Sequence, residues 1–247
     1  MAFIQLAISL VVLGILYTKM IRREIPAPVS KAQAVVPVLL GAASVYLSFM
    51  LFLAIAAGLT GIGADPSGFP AVPRSLYSAF CAAGLPEELT RMLMILLTMF
   101  IFRKRIKNAY EIMLIGAGAG FGFTLFEEFL YGSDSILIMV MRLATLAGHM
   151  TFGIIMAGYL ARARTNKRRG GGLVFGNYVK ALLIPVCVHT LYDGFTASNR
   201  LLSSADETAT VIGICLSVAA LVALFILQLR VLAHFRKNTE RYCNMAV

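Results

Sequence analysis

Seven stretches of mostly apolar residues, each long enough to cross a bilayer as a helix, take up most of this 247-residue chain. A spanning helix needs roughly 20 such residues. The stretches run about Ala2–Met20, Ala32–Leu59, Leu76–Phe102, Ala109–Tyr131, Ser135–Ala161, Tyr178–Ala197 and Thr208–His234. Hydrophobic residues make up 59% of the chain and charged residues only 14%, whereas a soluble domain carries roughly 25% charge. Disorder is excluded too, because it requires low hydrophobicity. No polar segment is long enough for a soluble domain. Residues 1–247 therefore read as a single integral membrane domain. The predicted fold is all-α: a polytopic membrane helix bundle of about seven transmembrane helices, multi-pass in the cell membrane.

Lys and Arg set its orientation, since basic residues concentrate in cytoplasmic loops. With the N-terminus outside, four basic groups fall on the cytoplasmic side: Lys19/Arg22/Arg23/Lys31, Arg103/Lys104/Arg105/Lys107, Arg162/Arg164/Lys167/Arg168/Arg169 and Arg230/Arg236/Lys237/Arg241. Lys180 joins them, while Arg74 and Arg200 lie outside. Every alternate loop agrees, so an odd span count with a cytoplasmic C-terminus is self-consistent. The first stretch lacks a basic leader and its charges follow it, which reads as a retained anchor rather than a signal peptide. The net charge of +10 is thereby a topology signal, and no nucleic-acid partner is expected.

Two superficial motifs fail on context. The four cysteines, Cys81, Cys187, Cys215 and Cys243, form no CxxC pair, which disfavours a disulfide framework or thiolate zinc site. The GAGAGFG run at Gly116–Gly122 sits inside a predicted span with no preceding strand, so no nucleotide is expected there. Gly116/Gly120 and Gly118/Gly122 have the spacing of close helix packing instead.

Ionisable residues inside spans are costly and need a partner, a wet cavity or a function. This chain places Glu87, Glu88, Glu127, Glu128, Asp193, His149, His189, Arg91 and Arg142 there. Glu111 and His234 fall at helix ends and read as interfacial. Glu87 and Glu88 stand four and three residues before Arg91, so either carboxylate is spaced to pair with it. Adjacent helical residues differ by about 100°. One glutamate can thus face a reaction centre while the other bonds Arg91. Glu127 and Tyr131 share a face at i,i+4, as do His189 and Asp193, and Arg142 precedes His149 by two turns.

Four helices thus bring carboxylate or imidazole to a similar depth. Glu and His without Cys suit zinc or another divalent metal with a position open to water. A spare glutamate can act as general base. A metal-free carboxylate pair activating water fits the same residues. So does a proton- or cation-coupled membrane transporter, although no inverted repeat is visible. A haem protein with His149 and His189 as axial ligands is the less expected reading, and no haem is expected.

The motifs in their order resemble the PrsW family of intramembrane proteases, related to the CAAX-protease and bacteriocin-processing superfamily. EELTR at Glu87–Arg91 matches an EE-x-x-K/R pattern, and FEEFLY at Phe126–Tyr131 matches FE-x-x-x-Y. RLATLAGH at Arg142–His149 and HTLYD at His189–Asp193 follow. The motif-bearing core spans about residues 76–197. Where the family often has an amide after the FE glutamate, this chain has Glu128. The resemblance implies a membrane-embedded endopeptidase of metallo or glutamic type. The implied partners are the lipid bilayer and a single-pass membrane protein substrate, with site-1 cleavage of an anti-sigma factor as the bacterial precedent. It assigns catalytic roles to Glu87, Glu88, Glu127, His149 and His189. On this basis Glu87 is expected as base, Glu88 as the partner of Arg91, and Glu127, His149 and His189 as metal ligands. Asp193 is expected to steer His189, and Tyr131 or Arg142 to stabilise an oxyanion.

Overall fold

A computed structural model describes residues 2–23, 29–132 and 135–247. Ten α-helices are found among them: α1 (Ala2–Ile21), α2 (Lys31–Gly61), α3 (Ala71–Ala79), α4 (Leu85–Ile101), α5 (Ala109–Tyr131), α6 (Ile136–Ala144), α7 (Gly148–Arg168), α8 (Val174–Phe195), α9 (Glu207–Lys237) and α10 (Thr239–Cys243). No β-strand occurs among the described residues. Among the described residues six helical runs are long and apolar enough to cross a membrane: Phe3–Ile21, Lys31–Gly61, Ala109–Tyr131, Ile136–Arg168, Val174–Ser203 and Glu207–Lys237.

Two of the expected spans are not simple helices. The third is helical from α3 through α4, but a π-helical turn at Phe80–Gly84 divides it. Pro86 follows that turn. Proline has no N–H, and its ring crowds the carbonyl four residues back, so a widened turn relieves both conflicts. The fifth expected span is two helices rather than one. α6 ends at Ala144, and a turn at Thr145–Ala147 precedes α7. Gln228 of α9 donates its side-chain N–H to the Ala144 carbonyl, one of the carbonyls that the break leaves without a helical partner.

α5 is the axis of the bundle. Every residue from Ala109 to Thr124 is buried, and α5 packs on α1, α2, α4, α7 and α10. Its glycines make this possible. A Cβ on Gly120 would collide with the His149 carbonyl of α7, and one on Gly122 with the Val38 carbonyl of α2. The two glycine pairs therefore serve opposite faces of one helix. By contrast α1, α2 and α9 carry large exposed apolar side chains, among them Leu10, Leu39, Phe49, Val218 and Leu229. These are the faces that hydrocarbon would cover.

Hydrogen bonds knit the basic loops together at one end of the bundle. The Tyr110 hydroxyl donates to the Met20 carbonyl at 2.7 Å. Arg164 donates to the Arg103 carbonyl at 3.2 Å, and Arg168 to that of Val247 at 3.1 Å. Glu111, expected at the interface, is buried here. Its carboxylate accepts from the Lys107 backbone N–H at 3.1 Å and from the Gln33 side chain at 3.2 Å, which replaces the solvent it has lost.

Candidate active site

At the opposite end α4, α5, α6, α7 and α8 surround a cavity of about 540 Å³. Its polar lining includes Glu87, Glu127, Glu128, Arg142, His149, His189, Tyr192 and Asp193. Ile138, Met141, Leu146, Leu202 and Leu224 supply apolar walls. The antiparallel course of the helices explains the gathering. Glu87 sits in the first turn of α4 and His149 at the start of α7, while Glu127 and His189 lie toward the ends of α5 and α8.

The two glutamates of EELTR separate as their angular spacing requires. Glu88 turns into the protein and is fully buried. Its Oε1 accepts from Arg91 Nη1 and from His189 Nδ1, the latter at 2.8 Å. Glu87 lines the cavity. Arg91, also fully buried, lies over the Phe123 ring at 4.2 Å and reaches His149 Nδ1 at 2.8 Å. This one guanidinium thus ties the acidic pair of α4 to the histidine of α7.

These bonds fix the imidazoles. A guanidinium only donates, so His149 Nδ1 accepts, and in the neutral ring the proton is on Nε2. That atom lies 2.7 Å from Glu127 Oε2. The other oxygen of Glu127, Oε1, is 3.2 Å from Arg142 Nη2. For His189, donation from Nδ1 to Glu88 leaves the Nε2 lone pair pointing into the cluster. It stands 3.8 Å from Glu87 Oε2 and 3.4 Å from Asp193 Oδ2. Glu87 Oε2 is itself buried without a hydrogen-bond partner.

Acceptor atoms of Glu87, His189 and Asp193 therefore converge with no hydrogen between them, an arrangement that a cation satisfies. Glu87, His149 and His189 each present one ligand atom, and all three lie within 4.8 Å of one another. Two imidazoles and a carboxylate are a donor set that zinc takes in catalytic sites with an open position. The residues present fit a divalent metal.

Most of the residues singled out in the sequence meet here. Asp193 stands beside His189. Arg142 reaches the site from α6 rather than from the helix of His149, and also holds Glu128 through Nε at 3.0 Å. Glu127 borders the metal-competent trio without belonging to it. Tyr131 does not join the site: it is 57% exposed at the end of α5 and does not line the cavity.

Four contributors were not visible beforehand. Phe123 supports Arg91 and packs against the His149 ring at 4.6 Å. Phe152 lies against both histidine rings. The Tyr192 hydroxyl, on the cavity wall, pairs with that of Thr145 at 3.3 Å. Gln5 of α1 hydrogen-bonds Glu128. The signal for Gln5 was present in the sequence, as a lone amide in an otherwise apolar span. Aromatic residues are too common in this chain for Phe123 and Phe152 to stand out.

A sequence model described as PrsW family intramembrane metalloprotease matches residues 30–228. No curated protein and no solved structure matches the chain significantly.

Proposed function

The chain belongs to the PrsW family of intramembrane metalloproteases, and from that premise we propose that it hydrolyses a peptide bond of a membrane-anchored protein in the cavity among α4–α8. The observation that carries this reading is the convergence of Glu87, His149 and His189 on one cavity, with Glu127 alongside. Family resemblance suggests a single-pass substrate such as an anti-sigma factor, cut in the site-1 manner.

Glu87, His149 and His189 would hold the metal, with zinc favoured by the donor set. A bound divalent ion supplies Lewis-acid polarisation of a carbonyl and a lowered pKa for water. Arg91 occupies His149 Nδ1, so Nε2 is the atom His149 has to offer. For a metal to bind there, the Nε2 proton would leave to solvent by way of Glu127 Oε2, 2.7 Å away, which leaves Glu127 ionised and able to accept a proton. This exchanges the two glutamate roles expected from the sequence: Glu87 becomes a ligand and Glu127 the general base. Arg142 would hold Glu127 in place through its second oxygen. Glu88 would act through Arg91 and His189 as a positioning residue, and Asp193 would orient His189. Arg142 and Tyr192 are the cavity donors available to a developing oxyanion.

We also infer a seventh crossing formed by residues 71–101, with the N-terminus outside. The gathering of the basic loops at one end supports this orientation. The carboxylate cluster would then lie toward the outer leaflet.

Cleavage of a single-span reporter by the purified protein tests the reading. Glu87→Gln, Glu88→Gln and His149→Ala should each abolish cleavage while leaving expression intact. Wild-type cleavage by all three would overturn it. Purified protein should carry metal stoichiometrically and lose activity in a strong chelator. Full activity in a metal-free preparation would remove the metal while leaving a glutamate mechanism.

A further inference from the structure

The end of the bundle away from the candidate active site holds a second cavity, of about 400 Å³, between α5, α7, α9 and α10. Its floor includes Met113, Ile155 and Phe235. Arg162 of α7, Arg230 and His234 of α9, and Tyr242 of α10 complete the lining, which contains no carboxylate. Nothing in the proteolytic reading uses this groove.

We propose that it binds an anionic phospholipid, with the headgroup phosphate between Arg162 and Arg230 and an acyl chain on the apolar floor. Charge complementarity argues for it. Among the described residues neither arginine forms an ion pair with a carboxylate. The Arg162 guanidinium lies 5.1 Å over the Tyr159 ring, which restrains it at the groove. His234 and the Tyr242 hydroxyl, 3.1 Å apart, bring further hydrogen-bonding atoms to the same lining. Basic pockets between transmembrane helices at a membrane surface are suited to acidic headgroups.

The surroundings select a lipid over a free anion. The α9 flank leading to the groove exposes Phe225, Ile226 and Leu229, so hydrocarbon reaches the mouth. Inorganic phosphate would leave the apolar floor unfilled. The bound lipid would join α7 to α9. α7 carries His149 in its first turn at the other end, and α9 holds the break before it through Gln228. Lipid occupancy would therefore brace the two helices that set the position of that histidine.

The test is lipid retention by the full chain, a readout that does not depend on proteolysis. The protein is purified from bilayers of phosphatidylcholine with phosphatidylglycerol, and bound lipid is measured by native mass spectrometry. Wild type should retain phosphatidylglycerol preferentially. Each of Arg162→Gln and Arg230→Gln should weaken retention about fivefold, from ~1 kcal/mol per basic residue near an anionic surface. Ile155→Trp, which fills the floor and keeps the charges, should also expel the lipid. Arg103→Gln with Arg105→Gln, at the same end but outside the groove, should change nothing. Equal loss in that control would reduce the effect to general surface charge and overturn the site. So would undiminished retention in Arg162→Gln/Arg230→Gln, or displacement of the lipid by inorganic phosphate alone.

Discussion

α5 and α9 are both apolar enough to span a bilayer, yet they occupy opposite environments. α5 is buried on all sides from Ala109 to Thr124. α9, with 31 residues, buries only Gly213, Ser217, Leu224, Gln228 and Phe235, a single stripe at helical spacing. Hydropathy does not predict this, since the more apolar helix is the exposed one; side-chain size does. Lipid tails are as apolar as leucine, so burying leucine in protein gains little. Close backbone approach and internal hydrogen bonds do gain something. α5 has glycine on two faces and becomes the axis, whereas α9 has bulk on most faces and stays at the rim. The geometry of the candidate site follows, because Gly120 lets the α5 backbone lie against the backbone of His149.

This contrast can be broken in four ways. The largest effect is expected at the active end of α5. Glu127→Gln should cut reporter cleavage by ~10²–10⁴-fold, the usual worth of a general base, with the thermal transition unchanged. A cleavage rate near wild type would move the base elsewhere. Gly120→Val comes next. Its side chain must displace the α7 backbone, and overpacking costs ~1–3 kcal/mol. Melting in detergent should fall, and cleavage with it, since His149 would shift. A Gly120→Val protein that melts and cleaves normally would refute the axial role of α5.

Gln228→Leu probes the stripe of α9. It removes a buried hydrogen bond worth about 1 kcal/mol and frees the α6–α7 break. A modest drop in melting temperature is expected, and an unchanged one would mean that the break holds itself. The smallest effect belongs to the lipid face. Leu229→Ala, at a side chain 52% exposed, should stay within about 0.5 kcal/mol of wild type, as surface changes do. A large loss there would show that this flank packs on protein rather than lipid.

Much of this was legible along the chain. Hydropathy located six helical runs long enough to span, with ends differing by up to seven residues, and EELTR, FEEFLY, RLATLAGH and HTLYD named most of the residues that meet. The break at Thr145–Ala147 was not legible, because Thr, Leu and Ala are all compatible with a continuing helix. Its stabilising partner, Gln228, lies 84 residues from Ala144. The burial of Glu111 was missed for a similar reason: its acceptor bonds come partly from Gln33 on another helix.

The sequence by itself determined a membrane-embedded helical chain with carboxylates and imidazoles on four helices, because hydropathy and charge are properties of each segment taken alone. Only the tertiary structure decided which atoms face one another. A step of one residue turns a helix by about 100°, so whether Glu87 or Glu88 looks into the cavity depends on the π turn before them and on Arg91 and His189 beside them. The same contacts bring Glu87 within 4.8 Å of both histidines, while Glu127 bonds His149. Such contacts join residues as far apart as Arg91 and His149, which no local pattern in the chain connects.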